Sequence, residues 1–256
     1  MSIEGPVVSL SDLDGQRFGI VSAKAPLVRR DTLPEVMSFC EANRVEFLIA
    51  RCPTFDLGAV QDMEGLGFLL MDTLLYFSFD LRGKRVPKDM AGVAVREGEA
   101  GDALKAKTVA AECFDGYMGH YHADPKLDRK KCDEVYQDWA YRACLSTGPR
   151  DGMLVSVSGE EVTGFGTIHV NDEEEGEGGV FCVSPRFRSR GVYQSIMIRC
   201  LGWCSERSIK RMNISTQVTN LASQKTWVRL GFEPSHSFYT FHKWFGTPGK
   251  GGTHQL

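Results

Sequence analysis

VFCVSPRFRSRGVY, residues 180–193, joins a short apolar run to a loop with three arginines and a glycine at the mouth of a helical pattern. Val180 to Val183 reads as a buried strand, and the apolar spacing from Val192 to Glu206 reads as a long helix. The first turn of such a helix offers N–H groups without acceptors and the positive end of the helix dipole, so it can hold an anion. Gly191 puts no side chain between that turn and a diphosphate. Arg186, Arg188 and Arg190 add positive charge beside it. Taken alone, the segment also fits a basic surface loop in front of a helix, and both readings stand at this point.

Downstream the pattern continues with a strand at Arg211 to Gln217, a helix from Asn220 to Leu230 and a last strand near Ser237 to Phe241. Gly231 sits where a helix-ending glycine belongs. Upstream, Met153 to Val157 and Val162 to Val170 form a hairpin turning at Ser158-Gly159, and NDEEEGEGG, Asn171 to Gly179, reads as a solvated acidic tip. A short strand at Val93 to Val95 and a helix at Asp102 to Phe114 come before it. A second helix starts near Asp128, with an apolar stripe of Cys132, Val135, Tyr136, Trp139, Ala140 and Ala143. A basic connection carrying Pro87, LRGKRVPKDM at 81–90, separates these from a first α/β region. That region reads as a strand at Phe18 to Val21, a helix opening at Thr32-Leu-Pro-Glu35 with Thr32 as its cap, a strand at Val45 to Ala50, a helix at 56–65 and a long strand at Phe68 to Phe79. It carries no catalytic pattern and reads as a supporting domain. The expected division is 1–84, 91–245 and a mobile tail at 246–256.

Composition narrows the function classes. The chain has 256 residues, 42% hydrophobic and 25% charged, an ordinary globular mix. Its 30 basic residues against 33 acidic ones leave no excess to neutralise a phosphate backbone, so no nucleic-acid partner is expected. The longest apolar run, Gly67 to Phe79, is broken by Asp72 and falls short of the roughly 20 residues of a membrane helix, so no membrane partner is expected. MSIEGPVVSL does not read as a secretion signal. The eight cysteines include no Cys-x-x-Cys pair and read as reduced core thiols, which points to the cytoplasm. Gly164-Phe-Gly166 lacks the third glycine of a dinucleotide fingerprint, and neither a Walker loop nor a Gly-x-Ser-x-Gly elbow is present.

Arg188-Ser-Arg-Gly191-Val-Tyr193 resembles the Arg-x-x-Gly-x-Gly/Ala loop of the GNAT superfamily, the Gcn5-related N-acetyltransferases. The order of elements is similar too, and so is Asn220 to Phe232, NLASQKTWVRLGF, to the family's segment of Asn, a small residue, an aromatic and Leu-Gly-Phe. The likeness covers residues 91–244. It implies an α/β protein with the GNAT fold, a mixed, mostly antiparallel central sheet with flanking helices, preceded here by a small α/β domain. The whole chain more loosely resembles the dTDP-fucosamine (dTDP-4-amino-4,6-dideoxygalactose) N-acetyltransferases, through Phe18-Gly19, Leu66-Gly67-Phe68 and the aromatics Phe114 to Tyr117 and Tyr136 to Trp139.

The resemblance implies transfer of an acetyl group from acetyl-CoA, as co-substrate, to an amine by direct attack. On it, Arg188, Ser189, Arg190, Gly191, Val192 and Tyr193 hold the diphosphate. The strand ending at Val183 pairs with the pantetheine arm, the Arg211 to Gln217 strand splays from it, and Asn220 contacts the arm. A backbone N–H of the Val180 to Val183 strand stabilises the oxyanion, a contribution worth about a hundredfold or more. Two positions depart from the pattern. Tyr193 replaces a small residue, so its ring must point away from the diphosphate. Trp227, counted on the cofactor side, stands where the family's Tyr acid stands, and indole has no titratable proton. Loss of a general acid costs about 10²–10⁴ in rate. Either another donor replaces it or the thiolate leaves unprotonated.

Tyr117-Met-Gly-His120-Tyr121-His122-Ala-Asp124 is the most unusual stretch of the chain. An amine arrives as an ammonium, and an imidazole titrating near about 6.5 suits its deprotonation. His120 is the first candidate and His122 the second, with Tyr117, Tyr121, His122 and Asp124 as substrate contacts. Loop packing remains open for these histidines. A metal also remains open, although no Cys or carboxylate set completes a site and none is assigned. Tyr239, with His242 beside it, is a further acid–base candidate or else a sheet-edge residue. The expected acceptor is a nucleotide-linked 4-amino-4,6-dideoxysugar, and the resemblance also implies a homodimer. The alternatives are a GNAT enzyme for another primary amine (polyamine, amino acid or peptide) and a module that binds CoA or a sugar nucleotide without turnover, which Trp227 permits.

Overall fold

A computed structural model describes residues 6–146 and 148–246, so the expected tail at 246–256 lies, apart from Gly246, outside the described residues. The chain runs through β1 (Ser9–Leu10), α1 (Asp12–Phe18), β2 (Ser22–Ala25), α2 (Leu33–Ala42), β3 (Phe47–Pro53), α3 (Leu57–Gly65) and β4 (Leu69–Asp80). It continues with β5 (Val95–Glu97), α4 (Ala103–Cys113), α5 (His120–Ala123), α6 (Arg129–Leu145), β6 (Asp151–Ser158), β7 (Glu161–Val170) and β8 (Glu175–Val183). It closes with α7 (Val192–Glu206), β9 (Arg211–Gln217), α8 (Leu221–Leu230) and β10 (Glu233–Trp244).

The chain divides into two compact units, and they interleave along the sequence rather than following a single cut near 84–91. Within the described residues, the first unit holds 6–74, 118–128 and 237–246, and the second holds 75–117, 129–146 and 148–236.

In the first unit the strands lie in the order β1-β2-β3-β10. β2 and β3 are parallel, as a strand–helix–strand crossover through α2 requires, while β10 runs antiparallel to β3 with Phe241 opposite Ala50 and His242 opposite Ile49. β3 is buried on both faces over Phe47 to Ala50 and reads there as a continuous apolar run, which Arg51 ends. Val36, Leu48, Met63, Phe68 and Phe241 share its core. Asp56 caps α3, its Oδ1 accepting the Ala59 N–H at 3.1 Å.

In the second unit the order is β4-β9-β8-β7-β6-β5. β5 to β8 are antiparallel and β8 pairs parallel with β9, so the sheet is mixed, as the fold expectation has it. Alternation along β6 sends Met153 and Val155 to a core under α4 and α6, and Leu154 to the opposite core under α7 and α8. Among the described residues no helix is long and apolar enough to cross a membrane.

Several local expectations change. Phe18 to Val21 is not a strand: Phe18 ends α1, whose Asp14 accepts from the Ser11 hydroxyl at 2.7 Å, and the strand starts at Ser22. Thr32 precedes α2 without capping it, because its hydroxyl oxygen accepts the Arg29 N–H at 2.9 Å instead. Trp139, placed in the α6 stripe, is 47% exposed, and Cys132, Ala140 and Cys144 are the buried residues of that helix. Half of the acidic tip is strand, since β8 already starts at Glu175 between β7 and β9.

Candidate functional site

After β8 the chain turns through Pro185–Phe187 and reaches α7 by way of Ser189 and Gly191, both in the left-handed region (φ 61° and 80°). Arg188, Ser189 and Arg190 are exposed at the helix mouth, where the first-turn N–H groups have no intrahelical acceptor. Arg186 is engaged elsewhere, in an ion pair with Glu161. Gly191 is required for a reason the sequence reading did not supply. Its positive φ suits glycine, and a Cβ there would overlap that of Ala91.

Tyr193 turns its ring into the core beside Phe181, and its hydroxyl accepts the Trp227 indole N–H at 2.9 Å. Burial pushes the Tyr193 hydroxyl up to about 12. Trp227 is buried edge-on to Phe77, so it acts as a core residue tied to α7. Asn220 caps α8: its Oδ1 accepts the Ser223 N–H at 3.3 Å and its Nδ2 donates to Thr216 Oγ1 at 2.9 Å.

β8 and β9 pair only from Glu175 opposite Arg211 to Gly178 opposite Ile214, yet both strands continue, to Val183 and Gln217. On the other side β8 pairs with β7, and the Ser184 N–H donates to the Thr163 carbonyl at 2.9 Å. Antiparallel alternation then turns the N–H and C=O of Phe181 and Val183 away from β7, towards the side where pairing has ended. Cys113, at the end of α4, was not singled out from the sequence. Its Sγ lies 3.6 Å from the Val183 carbonyl oxygen and 3.8 Å from Arg188 Nη2. A hydrogen bond from Cys182, with the Arg188 guanidinium also helping, pulls this thiol down to about 6 against burial. Only its position at a helix end could have marked it. Coenzyme A has a diphosphate and an amide-bearing arm. The exposed Arg188–Arg190 mouth of α7 could hold the first, and the edge of β8 that β9 leaves beyond Gly178 could hold the second.

The first unit holds the histidine-rich segment. His120 Nδ1 lies 2.9 Å from His242 Nε2, and His242 Nδ1 lies 2.9 Å from Asp124 Oδ2. Trp244 Nε1 donates to the same Asp124 oxygen at 2.8 Å, and the Lys126 N–H donates to Asp124 Oδ1 at 3.0 Å. Burial works against the Asp124 charge, but the bonds from His242, Trp244 and Lys126 hold its pKa below the usual carboxylate value. Burial first, then the nearby His242, Arg51, Lys24 and His122, hold the His120 imidazole well below its ordinary 6.5.

The other candidates of this stretch fall in different places. His122 is buried, and its Nδ1 accepts the Gly119 N–H at 3.2 Å, closing the single turn of α5. The Tyr121 hydroxyl donates to Asp14 at 2.9 Å, and Asp14 is salt-bridged to Lys24 at 2.6 Å, so Tyr121 anchors α1 rather than standing open to a substrate. Asp124 likewise has both oxygens engaged. Tyr239 packs with Phe241 on the core side of β10, and alternation places it on the face opposite His242. Tyr117 belongs to the second unit, edge-on to Phe114 and Tyr136.

Residues 115–232 match the acetyltransferase (GNAT) family. The chain is 21% identical over 215 residues to the spore coat polysaccharide biosynthesis protein SpsD of Bacillus subtilis, covering 82% of this chain and 71% of that one. Its fold is similar to the crystal structure of a functionally unknown conserved protein from Staphylococcus epidermidis (TM-score 0.63, 13% identity, 95% of this chain and 96% of that one). It is also similar to a GCN5-related N-acetyltransferase from Sphaerobacter thermophilus (TM-score 0.62, 13% identity, 93% and 76%). With the family match spanning α7, its arginine loop and the splayed strands, the chain carries a GNAT acetyltransferase domain and is an acetyl-CoA-dependent N-acetyltransferase.

Proposed function

We propose that the acceptor is the amino group of a nucleotide-linked 4-amino-4,6-dideoxysugar destined for a surface polysaccharide. The supporting observation is the likeness to a polysaccharide biosynthesis protein over 82% of the chain, well beyond the segment that matches the acetyltransferase family. The reaction then belongs in the cytoplasm, with soluble donor and acceptor.

On this reading the Arg188 to Tyr193 backbone holds the diphosphate, and the edge of β8 at Phe181 and Val183 holds the pantetheine arm. His120 takes the ammonium proton, and the free amine attacks the thioester carbonyl. A β8 backbone N–H stabilises the oxyanion, the attacking nitrogen gives its second proton to water, the C–S bond breaks, and the CoA thiolate takes a proton from water in turn, since Trp227 has none to give. Tyr121, Asp124 and Tyr239 are not carried forward as direct contacts, because their polar groups are engaged or their face is the wrong one.

Mass spectrometry of acetyl-CoA mixed with a panel of nucleotide-linked amino sugars, polyamines and peptides tests the acceptor. Acetyl gain by a 4-amino-4,6-dideoxysugar nucleotide is expected; gain only by a polyamine or peptide overturns it. His120→Ala should lower turnover by about 10²–10⁴ with acetyl-CoA binding intact. Trp227 favours one rival, a binding module without turnover, and thermal stabilisation by acetyl-CoA with no transfer to any amine would select it.

A further inference from the structure

Behind His120 lies a chain of bonds whose directions can be worked out from its far end. Asp124 is buried and receives Trp244 Nε1–H and the Lys126 N–H, groups that can only donate. A carboxylate that accepts several such bonds stays ionised. His242 Nδ1, 2.9 Å from Asp124 Oδ2, must therefore carry its hydrogen. A neutral imidazole has one N–H, so His242 Nε2 bears a lone pair. The 2.9 Å contact from His242 Nε2 to His120 Nδ1 then needs a hydrogen on His120 Nδ1. His120 Nε2 is left with the lone pair, and among the described residues no partner takes it. All these groups belong to the first unit.

We infer that Asp124 and His242 are positioning residues that hold His120 in the Nδ1-protonated tautomer, so that its Nε2 accepts the proton of the substrate ammonium. This rests on the reading of His120 as the base. The step balances: the N–H bond of the ammonium breaks, its electron pair stays on the amine, and the proton forms a bond to Nε2. The imidazolium then needs a compensating charge. Lys24, Arg51 and His122 around it oppose the new charge, Lys24 being already paired with Asp14. Asp124 is the carboxylate connected to it through hydrogen bonds. The Tyr121 ring, 4.0 Å from the His120 ring centroid, and Phe47, edge-on to His242 at 4.8 Å, pack against the chain. The competing arrangement is an imidazolium at His242 that donates at both ends. It would turn His120 over to Nε2–H, a tautomer with no lone pair at that atom.

Long-range proton–nitrogen NMR of the full chain labelled with 15N-histidine distinguishes the two, with His120→Gln and His242→Gln assigning the signals. The expected result is a proton on Nδ1 and a bare Nε2 in both rings. A proton on His120 Nε2 overturns the relay and leaves the base reading to its own test, transfer by the His120→Ala variant. Asp124→Asn presents an amide that can reverse both tautomers. In hydrolases built on a buried Asp–His pair the same exchange costs about 10⁴ in turnover. Here it should move the His120 proton to Nε2 and cut kcat by at least a hundredfold, with KM for acetyl-CoA unchanged. A moved proton with unchanged kcat overturns the positioning role. The tautomers of the unmutated protein decide the relay even if Asp124→Asn does not fold. Tautomers as drawn together with full transfer by His120→Ala would overturn the base reading, and the catalytic half of the proposal with it.

Discussion

His120 couples the fold to pH as well as to chemistry. In the folded chain, burial and the cations around it hold its imidazole well below 6.5, whereas an unfolded histidine titrates near about 6.5. Between those two values the unfolded chain binds a proton that the folded chain does not. The stability tied to this group is therefore complete above about pH 6.5 and is lost as pH falls towards the folded value. Gln takes no proton, so His120→Gln should lose less stability than the unmutated chain between pH 7.5 and pH 5.5. Urea titrations at the two pH values measure this, and parallel losses would be the contrary result. Tyr193 makes a separate residue-scale case. Its hydroxyl accepts the buried Trp227 N–H, so Tyr193→Phe leaves that donor unpaired, at a cost of about 1–3 kcal/mol. Trp227→Phe in the Tyr193→Phe background removes the orphaned donor, and urea midpoints of the two singles and the double should show coupling rather than additivity.

Among elements, β7 and β8 show how small residues shape the opening. Gly164 and Gly166 on β7 permit close approach, since a Cβ on Gly164 would meet the Cys182 carbonyl oxygen at 2.8 Å. A Cβ on Gly166 would overlap the Phe181 ring and meet Ile196 Cγ2 at 2.9 Å. Phe181, like Val183, is a β8 residue whose backbone faces away from β7 where pairing with β9 has ended. Gly166→Ala should therefore displace Phe181, destabilise the domain by about 1–3 kcal/mol as overpacking does, and raise KM for acetyl-CoA. Denaturation and steady-state kinetics on one preparation check both. A stability loss without any KM change would detach this ring from the cofactor side.

For the whole molecule, the parts legible in the sequence are those set by local chemistry. The bounds of α7 and β9 follow from helical and strand spacing, and Gly231 ends α8 as expected. What was not legible depends on distant partners. Glu175 to Gly179 is polar enough to read as a loop, but β7 and β9 on either side make it strand. Tyr121 and Asp124 looked open to a substrate until the fold brought Asp14 and His242 to them, residues over a hundred positions away in the chain. The division into units was hidden for the same reason. A first domain ending at 84 would leave β3 without β10, which pairs with it from Phe238 opposite Pro53 to Trp244 opposite Phe47, and would remove Phe241 from the core. It would also lack residues 118–128, whose Tyr121 binds the buried Asp14. An uncovered apolar strand edge, such as the one β3 would then present, is an aggregation template. Residues 1–84 alone should therefore fail to fold, giving collapsed amide dispersion by NMR and rapid proteolysis. Joining 237–246 to that fragment through a flexible linker should recover part of the dispersion, because the strand it returns completes the β3 edge. A well-dispersed spectrum from 1–84 alone would mean that β10 is not needed to close this core.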